Sequence, residues 1–321
     1  MPMATANDSV MDLNDDFGDA RRDLFAKIAR LYYIEDMNQR QIAEQLNISV
    51  ASVSRALSKA KDLNIVQISI EETREEFHRI EIDLERRYDI RECMVGGRFD
   101  SKDDVYADMA SMATGLLARL LKRDDVLGVG WGSDLRGLAQ NIGRASVGRI
   151  DIVPVAGVIE HLGEAVQSTS IAARLHEHID SDVHNVTIPA IAASAAERNS
   201  LLRSSDFSPV RRLWNRLDTV ILNVETLDGK GSGFYTAEQQ KELKALGGVC
   251  VLNGSVLDAD GELIENPYAD RMLCVDIDEI RHVRNVAIVA TGAAQAKAVR
   301  SILAAGFAHV LIIDMKCAEA L

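Results

Sequence analysis

Cysteine is scarce and scattered in this chain. Cys93, Cys250, Cys274 and Cys317 form no CxxC pair, and no histidine lies beside them at metal-ligand spacing. That argues against a zinc ribbon, a redox dithiol or a disulfide framework, and leaves reduced thiols in a cytoplasmic protein as the expectation. No apolar run approaches the ~20 residues that cross a bilayer, and the acidic N-terminus lacks the basic start of a signal peptide, so no membrane partner is expected. The seven histidines build no HExxH motif, and neither a GxSxG elbow nor a P-loop occurs. No metal, cofactor or catalytic residue is therefore expected.

What is present is an ordinary globular composition with an uneven charge. Hydrophobic residues make up 47% and charged residues 26% of 321, enough for a small module and a larger one. The net charge of −13 looks wrong for a nucleic-acid binder. Yet residues 1–19 hold five aspartates and no base, residues 20–64 balance at +3, and the remainder carries −11. A basic head on an acidic body can still bind DNA, because the phosphate backbone responds to charge within a Debye length of ~8 Å.

The basic stretch has an internal grammar. In LYYIEDMNQRQIAEQLNISVASVSRALSKAKDL, residues 31–63, Asn38 can cap a helix reaching Leu46, with Ile42, Ala43 and Leu46 on one face. Asn47 suits a left-handed turn, Ile48 plugs the junction, and Ser49 can cap a second helix. Val53, Ala56 and Leu57 then point inward while Val50, Ala51, Ser54, Arg55 and Ser58 point out. This is a helix-turn-helix, whose second helix enters the DNA major groove. The expected DNA contacts are Gln39, Ser49, Ser52, Ser54, Arg55 and Lys59, a hydroxyl, amide and cation mix suited to phosphates and base edges. A plain helical hairpin is the alternative, and the outward face argues against it.

Along the chain, residues 1–18 are polar and expected to be disordered. Residues 19–70 form the DNA-binding domain: a helix from about Arg21 to Ile34, the helix pair, and a short strand IVQISI that suggests a wing. Residues 71–90 read as an amphipathic linker helix whose stripe of Phe77, Ile80, Leu84 and Tyr88 packs either on its own domain or on a second subunit. From 91 to 321 strands alternate with helices. The expected strands are ECMVGG, DVLGVGW, IDIVPVA, HNVTIPAI, TVILNV, VCVLNG, RMLCVDI, NVAIVAT and HVLIID, which predicts an α/β domain with a largely parallel sheet.

Two strand-to-helix corners could hold a ligand, since such sheets bind beyond the carboxyl ends of their strands. One is GVGWGSD, with Gly130, Trp131, Gly132, Ser133 and Asp134; the dinucleotide fingerprint is absent, because position 133 is not glycine. The other is ATGAAQAK, with Gly292 and Lys297. Glu225 and Asp228 could be acids in a cleft.

Together these residues resemble the SorC family of sugar-binding bacterial transcriptional regulators. The resemblance runs from about Ala20 to the C-terminus and rests on residues 31–70, GVGWGSDL, the segment around Gln167, the DADG at 258–261, GAAQAKAV and IIDMKCAEAL, in that order. It implies an effector domain related to phosphosugar isomerases and CoA-transferases without retained catalysis, behind an all-α winged helix-turn-helix domain. It implies homodimers or homotetramers on a palindromic double-stranded operator, and a sugar, polyol or sugar phosphate held by Gly130, Gly132, Ser133, Gln167, Asp260 and Lys297. The chain departs from the family pattern at Asp134, where threonine is common, and at Asn223-Val-Glu225, where GIG is common. The arginine that some phosphate-reading members carry after the third strand has no counterpart in PVAGVIEH. A carboxylate beside a phosphate is unfavourable, so a neutral polyol or sugar is expected ahead of a bisphosphate. The rival readings are a sugar isomerase or CoA-transferase-like enzyme carrying a DNA-binding head, and a recombinase, for which the body shows no nucleophile motif.

Overall fold

A computed structural model describes residues 18–66, 75–227 and 233–321, and the chain separates into two compact units, Met1–Thr73 and Arg74–Leu321. The expected disorder before Gly18, most of the wing strand, and Asp228 lie outside the described residues. Cys93, Cys250 and Cys317 are buried free thiols and Cys274 is a half-buried one. Among the described residues no helix is long and apolar enough to cross a membrane.

The first unit is three helices: α1 (Gly18–Tyr33), α2 (Gln39–Leu46) and α3 (Val50–Asp62). Local chemistry sets each boundary. Asn38 accepts from the backbone N–H of Arg40 and Gln41, and Gln41 Oε1 takes the Asn38 N–H at 2.9 Å, a complete capping box. Asn47 ends α2 in the left-handed region at φ 50°, and its N–H reaches back to the Ala43 and Glu44 carbonyls. Ser49 then caps α3 through the Ser52 N–H. Ile28, Ala29, Ile42, Ala43, Val53, Ala56, Leu57 and Ala60 fill the space between the helices. α1 starts before the expected Arg21.

The second unit opens with α4 (Glu75–Tyr88), then β1 (Glu92–Gly96), α5 (Lys102–Leu120), β2 (Val126–Val129), α6 (Ser133–Asn141) and β3 (Ile150–Pro154). It continues with α7 (Ser168–His176), β4 (Ser181–Val183), α8 (Ala195–Arg203), α9 (Ser208–Trp214) and β5 (Thr219–Thr226). Next come α10 (Ala237–Ala245), β6 (Cys250–Leu252), β7 (Ser255–Leu257) and α11 (Ile277–Arg281). The chain ends with β8 (Asn285–Ala290), α12 (Ala296–Ala304), β9 (Val310–Asp314) and α13 (Met315–Ala318). Seven strands form a parallel sheet in the order β1-β9-β8-β5-β2-β3-β4, and β6 and β7 add an antiparallel hairpin to the far end of β5.

Two expected strands are absent. HNVTIPAI and RMLCVDI make only single bridges, Val158 with Pro189, Ile191 with Met272 and Ala156 with Cys274. Their apolar residues are real core: Val186, Ala190, Leu273 and Val275 are all buried. They cover the sheet rather than extend it, and Pro189 has no N–H to give a ladder. The strand at that edge is the polar Ser181–Val183, which carries no hydrophobic run.

The stripe of α4 packs on its own domain: Leu84 is buried in the main core, with Phe77, Ile80 and Tyr88 against it. The helix also covers the exposed edge of β1. Glu85 Oε1 accepts the Cys93 N–H and Glu81 Oε1 the Val95 N–H, both at 2.8 Å, and Asp108 of α5 takes the Gly97 N–H at 2.7 Å. Alternate residues of a strand present their N–H groups about 6.6 Å apart, and carboxylates one helical turn apart are about 6 Å apart, so the two rows match. An edge strand that could recruit another chain is thereby closed with acceptors. Replacing both Glu81 and Glu85 with leucine should lower the stability of this unit by about 2–4 kcal/mol, because two desolvated N–H groups lose their partners. The glutamine pair, which keeps the acceptor oxygens, should recover most of that in a urea titration.

Candidate functional site

The strand order turns at one point. From β2 the chain moves outward to β3 and β4, and from β5 it moves the other way to β8 and β9. The crevice expected at such a switch point lies between the carboxyl ends of β2 and β5. Gly130, Trp131 and Gly132 leave β2 at this place and lead into α6. Gly132 sits at φ +114° with the Asn223 side chain against it: a Cβ would lie 2.6 Å from Asn223 Nδ2. Only glycine allows both the dihedral and the approach.

Asp134, in the first turn of α6, ties three elements together. Its carboxylate accepts from Tyr106 Oη of α5 at 2.9 Å, the Thr291 N–H at 2.9 Å and Thr291 Oγ1 at 2.8 Å. At 4% exposure, burial pushes this carboxyl up, against the pull of the donors and of Lys102. The carboxylate expected to disfavour a bound phosphate is thus enclosed, with both oxygens engaged by neutral donors. Next to Thr291, Gly292 at φ +84° donates its N–H to Asp314 at 2.8 Å, fixing the loop after β8 to the end of β9.

Glu225, at the far end of β5, fastens a cover over the crevice. Its two oxygens accept Trp131 Nε1–H at 2.6 Å and the Phe234 N–H at 2.8 Å, and Trp131 packs on Phe234 with ring centroids 5.1 Å apart. His161 Nε2 bonds the Gly233 carbonyl at 2.8 Å on the same side. Burial pushes the Glu225 carboxyl up to about 7. Gln167 is likewise committed. Its amide donates to the Ile159 and Leu162 carbonyls and accepts from the Ile159 N–H, so it holds the 159–162 turn in shape. That turn joins the glycine loop through the Gly132 N–H, which donates to Val166 at 2.9 Å.

The helix starts of the two units differ in how they are capped. α2, α3, α5, α8, α10, α11 and α13 are all capped by a side chain. α6, α7, α9 and α12 have no side-chain cap, whereas α5 and α13, which also follow the carboxyl ends of strands, are capped by Ser101 and Asp314. α12 continues a 3-10 turn whose Ala293 carbonyl takes the Ala296 N–H, and α6 starts directly from the glycine loop. The first-turn N–H groups of a helix need an external acceptor, and the helix dipole favours an electron-rich one. Ser133 stands exposed at the start of α6, and Lys297 is exposed in the first turn of α12.

Of the expected effector residues, Gly130, Trp131, Gly132, Ser133, Asp134, Gln167, Glu225 and Gly292 are linked by these bonds. Asp260 is not brought to them. It is exposed on a turn whose Gly261 packs against Ser301 and Ala305, at the other end of α12 from Gly292. Asn223, Thr291, Tyr106 and Gln295 belong to the edge and were missed as site residues. The legible signal for Asn223 is an amide inside an otherwise apolar strand, VILNV.

On the first unit, Val50, Ala51, Ser54, Arg55, Ser58 and Lys59 are exposed on one face of α3, Val50 at 43%. Lys59 pairs loosely with Asp62 at 3.7 Å. Ser49 is occupied as a cap, and its hydroxyl bonds that of Ser52 at 2.9 Å. Gln39 is half-buried at the start of α2. Among the described residues no group of three His, Cys, Asp or Glu side chains could hold a metal.

Comparison with known proteins agrees with this division. Residues 71–321 match the family model described as a putative sugar-binding domain, and residues 30–63 match that of sigma-70 region 4. The deoxyribonucleoside regulator of Bacillus subtilis is 26% identical over 310 residues, covering 94% of this chain and 97% of that one. The sorbitol operon regulator of Klebsiella pneumoniae is 26% identical over 312 residues, covering 93% and 97%. The crystal structure of the full-length Klebsiella pneumoniae regulator SorC superposes with a TM-score of 0.72 at 24% identity, covering 95% and 99% of the two chains.

Glu225 generates a pH prediction. Its folded-state value of about 7 lies above its ordinary 4.5, so the folded chain binds this proton more tightly. Its contribution to stability is full below about 4.5 and is lost as the pH rises through about 7. In a Trp214→Phe background, Trp131 fluorescence should titrate near pH 7, and Glu225→Gln should abolish the step. A second expectation concerns Asp134→Ala. It leaves three donors without an acceptor and should cost about 2–4 kcal/mol in chemical denaturation.

Proposed function

This chain belongs to the SorC-type family defined by the putative sugar-binding domain, and we propose that it is a DNA-binding regulator of carbohydrate or polyol catabolism whose operator affinity is set by a small hydroxylated effector. The observation that carries this reading is the glycine turn and uncapped start of α6 at the switch point between β2 and β5, in a chain that also presents a helix-turn-helix. It is not an enzyme, since the relatives that match along the whole chain are regulators, and Asp134 and Glu225 are engaged by five donors in holding loops together.

On this reading the exposed face of α3 reads the major groove. Arg55 and Ser54 face base edges, Val50 and Ala51 offer apolar surface to a thymine methyl, and Lys59 meets phosphate. Ser49 and Ser52 shape the start of the helix, and Gln39 lies beside the backbone. One head is small and only mildly basic, so the working form is a homodimer or homotetramer in the cytoplasm, placing two heads on half-sites about one DNA turn apart, ~34–36 Å.

The effector is a sugar, polyol or sugar phosphate. Gly130, Gly132, Ser133, Gly292 and Lys297 bound its place directly, while Trp131, Asp134, Gln167 and Glu225 fix the loops that form it. Asp260 is reassigned to the periphery. A ligand shifts the regulator between states only by binding one of them better. An effector bridging the start of α6 and the loop after β8 would favour the arrangement in which Asp134 holds them together.

The test is operator binding by the full chain, using a duplex selected from a random pool and fluorescence anisotropy. Arg55→Ala should weaken the selected duplex by about 5–150-fold and relax its sequence preference, while Lys59→Ala should weaken all duplexes alike and reduce the salt slope by about one. Unchanged affinity in Arg55→Ala would remove that residue from the base-reading set. Adding free and phosphorylated sugars to the same complex identifies the effector.

A further inference from the structure

Two polar atoms at the carboxyl edge have nothing to bond. Asn223 Oδ1 and Gln295 Oε1 are both buried and without a hydrogen-bond partner. Asn223 ends the run of buried residues from Thr219 to Leu222 in β5, and its amide lies against Gly132. Gln295 closes the 3-10 turn Ala293–Gln295, which packs against the end of β5. Both atoms therefore lie on segments that adjoin β5, Asn223 beside the glycine loop and Gln295 in the turn after β8. A third such atom, Asn253 Oδ1, lies apart in the turn between β6 and β7, where its own Nδ2 donates to the Val275 carbonyl at 2.8 Å.

A buried carbonyl oxygen without a donor is expensive, and the chain uses its other amides here differently. Gln167 and Gln240 both have donor-side partners, and Gln167 is engaged at every polar atom. A buried acceptor without a donor calls for an explanation, and where two of the three such atoms lie on segments at the carboxyl edge a donor supplied by a ligand is one. The uncapped start of α6, on the same crevice, supplies the opposite: N–H donors in search of an acceptor.

We propose that Asn223 and Gln295 are specificity-determining residues that accept two hydroxyl protons of the effector, so that the site selects a ligand by its free hydroxyl groups. This deepens, and rests on, the reading of the carboxyl edge as the effector site. The chemistry follows from what each ligand class can offer. A hydroxyl donates one hydrogen bond and accepts others, so it answers the amide oxygens and the helix N–H groups together. The dianionic phosphate of a sugar monophosphate only accepts. It can sit at the helix start but leaves both amide oxygens unanswered, and a buried acceptor left unpaired discriminates strongly against the ligand that fails to pair it. A phosphorylated sugar fits provided its hydroxyls, rather than its phosphate, reach Asn223 and Gln295.

The experiment is calorimetric titration of the full chain with D-glucitol, erythritol and 2-deoxyribose, each free and as its monophosphate, and with inorganic phosphate alone. At least one hydroxylated compound should bind the wild type. Asn223→Ala and Gln295→Ala should each weaken it about tenfold, while Asn223→Asp and Gln295→Glu, which keep an acceptor oxygen, should stay within about threefold. Both alanine variants should melt no lower than the wild type without ligand, since each removes an unsatisfied atom; an amide kept for folding would lower the melt. Alanine variants that bind the hydroxylated compound as the wild type does would overturn the role of these amides and leave the site intact. Tighter binding of inorganic phosphate than of any hydroxylated compound would overturn selection by hydroxyl. If none of these compounds binds the wild type, the reading of the edge as a sugar site falls with it.

Discussion

Asp134 is the constraint on which the carboxyl edge depends. One enclosed carboxylate gathers the start of α6, the hydroxyl of α5 and the loop after β8. Without it, Thr291 would have an N–H and a hydroxyl facing a low-polarity interior, and the loop carrying Gly292 would lose its tether. The next bond, from Gly292 to Asp314, passes the same constraint on to β9. The relative positions of the glycine turn and the loop after β8 are therefore set by two carboxylates in series. A ligand entering between them meets a frame already assembled, which lowers the ordering cost of binding.

The same device recurs across the second unit. Glu81, Glu85 and Asp108 close the edge of β1, Glu225 closes the cover over the crevice, and Asp258 accepts two N–H groups of its own turn. The strongly negative charge of the body thus includes several carboxylates that serve as acceptors for backbone groups the sheet and helices leave over. This also separates the electrostatics of the two units: the head keeps its cations outward for phosphate, and the body commits several of its carboxylates to internal donors.

What could be read from the chain follows the range of the interactions. The head was legible almost residue by residue, because its boundaries are decided within four positions: the Asn38–Gln41 box, the left-handed Asn47 and the Ser49 cap. The central strands were legible as well, since buried parallel strands are short continuous apolar runs. HNVTIPAI and RMLCVDI were misread for the same reason, because a segment that covers a sheet is as apolar as one within it. The true edge strand, Ser181–Val183, has a side facing water and no such run. Site roles failed differently. Asp134 meets Thr291 across 157 positions, and Trp131 meets Glu225 across 94, so nothing local distinguishes a carboxylate that holds loops from one that touches a ligand. Gln167 was placed at the correct corner, but whether its amide was free or committed depended on Ile159 and Leu162.

The departures from the family pattern acquire a physical order once these partners are known. Asp134 and Glu225 stand where the resemblance leads one to expect uncharged residues, and both are consumed in fastening one part of the edge to another. Asn223, two positions before Glu225, is the departure that is not consumed. A strand end that carries Glu225 to hold the cover leaves Asn223 facing Gly132, because alternate residues of a strand share a side only at spacing two and the neighbour Val224 turns into the core. Gly132 in turn must lack a side chain, or the amide would have no room. The three positions therefore form one arrangement: glycine makes space, glutamate holds the cover, and asparagine is left as the polar group with unspent capacity.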